Sequence, residues 1–107
     1  MYLQKFEIKN KIALVTGAGK GIGKASAIAL AEAGADLIIL SRTKSDLDKV
    51  KKQIVKLKRN CQSYVCDVSN YDEVKSVFKE IKKIDILINN AGTNRPEHFV
   101  KIKKEDM

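Results

Sequence analysis

At 107 residues, 44% hydrophobic and 32% charged, the chain has the length and balance of one small globular domain, which excludes a disordered or fibrous protein. No apolar run approaches the ~20 residues of a membrane span, and residues 1–10 hold no apolar block with a small-residue cleavage site, so neither a membrane helix nor a secretory leader is read. The formal net charge of +8 comes from 21 basic residues of which only three are Arg (Arg42, Arg59 and Arg95); the Lys are spread along the chain, which describes a solvated surface and not a nucleic-acid binder.

Residues 12–15 (Ile-Ala-Leu-Val) form a short apolar run closed by Thr16-Gly17, which predicts a buried strand. Residues 21–33 follow, rich in Ala and free of Pro. Ile22, Ala25, Ala29 and Ala33 recur there at helical spacing, predicting a helix with a small-residue packing face, ended by Gly34. Residues 37–40 are a second apolar strand. Thr43 or Ser45 is placed to cap a second helix. In it Leu47, Val50, Ile54 and Leu57 share one face, and Lys49, Lys51, Lys52, Lys56 and Lys58 take the other, so the densest charge run is the wet side of an amphipathic helix.

Residues 63–65 predict a third, short strand. A third helix starts near Tyr71 and buries Val74, Val77, Phe78 and Ile81. Residues 84–88 predict a fourth strand, ending at Asn89-Asn90-Ala91-Gly92. The stretch 93–107 holds the only proline, Pro96, and reads as a loop and tail leading to a helix that is not completed. Cys61 and Cys66 are five apart, which points them to opposite faces of an extended segment. They read as two reduced thiols of a cytoplasmic protein, not as a disulfide or metal pair.

The order β-α-β-α-β-α-β implies an α/β fold: a parallel sheet with helices on both faces, about four strands in the order 3-2-1-4, the first part of a doubly wound sheet. Right-handed crossovers place the first two helices on one face and the third on the other. The fourth strand is then an edge, with residues 86–88 and apolar atoms of Val77 and Phe78 expected to be partly uncovered.

The sharpest motif lies where the first strand meets the first helix: Thr16-Gly17-Ala18-Gly19-Lys20-Gly21-Ile22-Gly23. Glycines there allow a tight turn, close backbone approach to a pyrophosphate, and hard packing of helix on sheet. The first N–H groups of the helix then face the phosphates. A P-loop is excluded, because its first glycine falls on Ala18 and its Ser or Thr on Ala25. Gly-x-Gly-x-x-Gly fails too, because its third glycine falls on Ile22. Gly-x-x-x-Gly-x-Gly remains, at Gly17, Gly21 and Gly23.

This loop resembles the cofactor loop of the short-chain dehydrogenases/reductases. Residues 6–17 resemble that family's opening, with Asn10 where Gly is frequent. Cys66-Asp67-Val68 resembles the end of its third strand, and Asn89-Asn90-Ala91-Gly92 its signature after the fourth. The resemblance implies a single, partial NAD(P)-binding Rossmann domain over residues 1–107. It implies an oxidoreductase that transfers hydride to or from a carbonyl or alcohol substrate. Cofactor contacts are expected from Gly17, Gly19, Lys20, Gly21, Ile22 and Gly23, from Ser41 and Arg42, from Asp67 and Val68 at the adenine, and from Asn89, Ala91 and Gly92.

The end of the second strand chooses the cofactor, since an acid there bonds a ribose 2′-hydroxyl and Arg accommodates a 2′-phosphate. The chain has Ser41-Arg42, no acid before Asp46, and Lys20 nearby in the loop, so NADP(H) is favoured over NAD(H).

In the resembled family a Ser and a Tyr-x-x-x-Lys, assisted by an Asn, perform the chemistry after the Asn-Asn-Ala-Gly signature. Residues 93–107 contain neither Ser nor Tyr, so this stretch is expected to be a cofactor-binding part without catalytic residues, inactive alone. Tyr71 and Lys75 match the spacing but open the third helix, at the adenine end, and read as a decoy. His98 has no ligand partners and reads as structural. A non-catalytic dinucleotide-binding or interaction module is the alternative. The substrate is open among sugar acids, cyclic ketones and 3-oxoacyl thioesters, and any homo-oligomer interface is expected mostly in later helices.

Overall fold

A computed structural model describes residues 8–90. Seven elements alternate along it: β1 (Ile12–Thr16), α1 (Gly21–Glu32), β2 (Asp36–Ser41), α2 (Lys44–Lys56), β3 (Cys61–Val65), α3 (Tyr71–Glu80) and β4 (Ile86–Ile88). The four strands pair in parallel in one sheet of order β3-β2-β1-β4. The two central strands read as continuous apolar runs because both of their faces are covered: Leu14, Ile39 and Leu40 are wholly buried.

Two cores result. On one side of the sheet, Ala27, Leu30 and Ala31 of α1 and Leu47, Val50 and Ile54 of α2 pack on Ala13, Val15, Leu37 and Ile39. On the other, Val74, Val77 and Phe78 of α3 pack on Leu14, Ile38 and Leu40. The helices therefore divide between the faces as right-handed crossovers require. Cys61 lies in the first core and Cys66 in the second, as their odd spacing predicts. Both are free thiols, each pushed up to about 11 by burial and so protonated at neutral pH.

Some sequence expectations need correction. The buried face of α1 is Gly23, Ala27, Leu30 and Ala31, whereas Ile22 is 74% exposed and Ala25 is exposed. In a helix of mostly small residues the apolar period is ambiguous, and the closest approach to the sheet, at Gly23, decides the rotation. Leu57 caps α2 and is 38% exposed. Thr43 takes the N-cap position of α2 without a side-chain cap bond. Strand β3 starts two residues earlier than expected, at Cys61. Val77 and Phe78 are buried, because Tyr71, Ile81 and Ile84 pack in the same cluster, while all three β4 residues are half-buried.

Strand β4 starts two residues later than expected, for a specific reason. The Asp85 carboxylate accepts the Ile12 N–H at 2.8 Å, and the Asp85 N–H donates to the Ile12 carbonyl at 2.8 Å. A side-chain carboxylate thus takes one acceptor position of the ladder where β1 meets β4. The Ile12 N–H, with Lys83 and Lys11 beside it, holds the Asp85 carboxyl below the usual carboxylate range. A depressed carboxyl stabilises the fold above its ordinary value of 3.8, and that contribution is lost as pH falls through the lower folded value. Thermal unfolding followed by circular dichroism should thus show a melting temperature falling below about pH 4. Asp85→Asn should flatten that limb, and identical acid limbs would remove the role of Asp85.

At the turn into β1, Asn10 adopts φ 65° and its N–H donates to the Gly34 carbonyl at 2.9 Å. Asn tolerates the left-handed region better than other side chains, so it serves where glycine would. No helix among the described residues is long and apolar enough to cross a membrane.

Candidate functional site

The four strands point their C-terminal ends the same way, and the loops that leave them converge there. The loop from β1 to α1 turns through Gly17 (φ 62°) and Gly21 (φ 55°), where side chains are strained. Gly23 is required for a different reason. A Cβ on it would overlap the Gly17 carbonyl and lie 3.0 Å from Asn90 Nδ2. The first turn of α1 is thus pressed onto the loop that precedes it. The Ala18 N–H, donating to the Leu40 carbonyl at 3.1 Å, ties the same loop to β2.

The N-terminus of α1, with Lys20 at its cap position, has no side-chain cap and no acid of its own in the first turn. By contrast, α2 carries Asp46 there, and α3 has the Asn70 cap with Asp72 and Glu73. The positive end of the α1 dipole is left for an anion from outside the helix.

Beside it opens a cleft of about 380 Å³. Gly17, Gly19 and Lys20 form one wall, Ser41, Arg42, Thr43 and Asp46 a second, and Cys66, Asp67, Val68 and Ser69 a third, with Asn90 at the β4 end. Seven expected residues therefore meet: Gly17, Gly19, Lys20, Ser41, Arg42, Asp67 and Val68. Four others do not line it. Gly21 faces open space, Ile22 projects outward, Gly23 is packed under the loop, and Asn89 accepts a hydrogen bond from Thr16. Ala91 and Gly92 lie outside the described residues, as do His98 and the stretch 93–107. Tyr71 packs in the α3 core and is absent from the cleft walls.

Thr16, Asp46 and Asn90 were not among the expected contacts. Thr16 is wholly buried. Its hydroxyl donates to Asn89 Oδ1 at 2.9 Å and accepts the Asn90 N–H at 2.8 Å, so it pins the end of β1 to the end of β4. Nothing local in the sequence marks it, because its partners lie 73 and 74 positions away. Thr16→Val keeps the shape and removes both bonds. It should lower stability by about 1–2 kcal/mol, measured by urea unfolding; a loss below a few tenths would show that the pin is dispensable.

Asp67 Oδ1 accepts from the Ser69 hydroxyl at 2.7 Å and the Ser69 N–H at 3.0 Å, while the Asp67 N–H donates to Glu73 Oε1. The Ser69 hydroxyl first, then its N–H and the Arg42 charge, hold the Asp67 carboxyl below the usual range. Asp67 is therefore a fixed anion at the C-terminal end of β3, with acceptor capacity beyond Ser69. Lys20 Nζ stands 3.7 Å from Asp46 Oδ2.

Residues 11–107 match the family model described as short chain dehydrogenase. The chain is 47% identical over 96 residues to a 2-dehydro-3-deoxy-D-gluconate 5-dehydrogenase of Pseudoalteromonas atlantica, covering 85% of this chain and 38% of that protein. Among solved structures it is similar to an NAD+-bound xylitol dehydrogenase, with a TM-score of 0.75 and 38% identity over 81% of this chain and 35% of the other. It is also similar to the L-sorbose reductase of Gluconobacter frateurii complexed with NADPH and L-sorbose, with a TM-score of 0.72 and 32% identity over 80% and 35%. The chain thus spans well under half the length of each of these relatives.

Proposed function

The chain belongs to the short chain dehydrogenase family, and we propose that its residues 1–107 form one partial dinucleotide-binding domain of an NADP(H)-dependent oxidoreductase. The reaction would move hydride between the cofactor and a small carbonyl or alcohol substrate. One observation carries this reading. The uncompensated N-terminus of α1, Lys20 and Arg42 gather at one cleft at the C-terminal edge of a doubly wound sheet, where such folds bind ligands.

The pyrophosphate would lie against the loop 17–23, whose glycines admit it. Lys20, Ser41 and Arg42 would hold the 2′-phosphate, with Arg42 as the planar fork. Asp67 and Val68 would receive the adenine, Asp67 as acceptor for its amino group and Val68 as apolar wall. Thr16, Asn89 and Asn90 would hold the floor between β1 and β4. The bound cofactor would supply or accept the hydride, and this chain's own part would be to orient it. The buried, unpaired thiols favour the cytoplasm.

Cofactor fluorescence titration tests the proposal. NADPH should bind at least tenfold more tightly than NADH, and the absence of binding by either would overturn it.

A further inference from the structure

We propose that Asp46 limits how strongly this site prefers a 2′-phosphorylated ribose, because it is the counter-charge Lys20 must leave when a phosphate enters. This role presupposes the dinucleotide site proposed above. The end of β2 carries no acid, yet the fold brings one to the same wall from the first turn of α2, four residues beyond Arg42. Asp46 is held there. Its side chain is 18% exposed and lies directly under the glycine loop: a Cβ on Gly19 would come within 2.8 Å of Asp46 Cβ and 3.0 Å of Ser41 Oγ. The helix fixes its backbone, and the loop leaves the carboxylate little room to turn away.

Its partner is not held. The Lys20 side chain is 82% exposed, and Nζ sits 3.7 Å from the carboxylate, a loose pair that positions the lysine weakly. A phosphate near Ser41 and Arg42 draws Lys20 toward itself and uncovers the Asp46 charge in the same cleft, where the two anions repel. A ribose hydroxyl has the opposite sense: it can donate to Asp46 and leaves the pair with Lys20 intact. Asp46 therefore pulls selectivity toward the unphosphorylated nucleotide, against Lys20 and Arg42.

Calorimetric titration of the full chain with adenosine 2′,5′-bisphosphate and with AMP isolates this effect, since the two ligands differ only in the 2′-phosphate. The selectivity ratio, Kd for AMP over Kd for the bisphosphate, should rise about tenfold in Asp46→Asn, which keeps the shape and removes the charge. The rise should shrink in about 0.5 M salt, where the Debye length is only a few ångströms. A ratio in Asp46→Asn equal to or below the wild-type ratio overturns the role of Asp46, whatever the wild-type value. So does a rise that salt leaves intact, because it would not be a charge effect. The dinucleotide site is judged separately: a wild-type ratio of about one, unmoved by Arg42→Ala, would overturn the 2′-phosphate assignment itself.

Discussion

Gly23→Ala should lower stability by about 3 kcal/mol and remove dinucleotide binding. The added Cβ would meet the Gly17 carbonyl and the side-chain amide of Asn90. Neither can retreat cheaply. Gly17 is locked between β1 and a left-handed turn, and the Asn90 N–H is bonded to the buried Thr16 hydroxyl. The helix must therefore lift off the loop, and its first N–H groups move away from the anion position. For a domain of this size the melting temperature should drop by about 10 °C or more, with loss of the NADPH fluorescence response. Gly21→Val separates the two effects. Its side chain would enter open space at a strained φ of 55°, so binding should suffer more than in-chain packing. Wild-type melting and binding in Gly23→Ala would mean that helix and loop are not in this contact.

Arg42→Asp should reverse the cofactor preference. A charge-assisted contact to phosphate contributes about 1.5–3 kcal/mol, and the new carboxylate adds repulsion while offering an acceptor to a ribose hydroxyl. The ratio of NADP(H) to NAD(H) affinity should fall about 100-fold, corresponding to roughly 3 kcal/mol. Competitive titration with NADPH and NADH measures the ratio, and an unchanged ratio would remove Arg42 from the site.

Strand identity, strand order and the glycine loop are legible in the linear chain because each rests on local physics. Residues 12–15 and 37–40 are short continuous apolar runs closed by turn residues, as strands covered on both faces are. Crossover handedness then leaves little choice of topology. The loop is legible because glycine suits the left-handed turns at 17 and 21 best, and at 23 it leaves out a Cβ for which there is no room. The rotation of α1 is not legible, since alanines on every side give its apolar period no direction, and contact at Gly23 settles it. Nor are the bounds of β4, where Asp85 takes a ladder position by its side chain.

The cleft divides the same way. Lys20, Arg42 and Asp67 lie in the loops that leave strand ends, and such loops in a parallel sheet lie at the ligand edge by topology alone. Asp46 sits in the first turn of a helix, and Thr16 and Asn90 are separated by 74 positions. Their place depends on how α2 packs and on the register of β1 against β4. Those are long-range contacts between residues whose own chemistry says nothing of their partners, so Lys20 reads as a lone cation in the chain and meets its acid only in the fold.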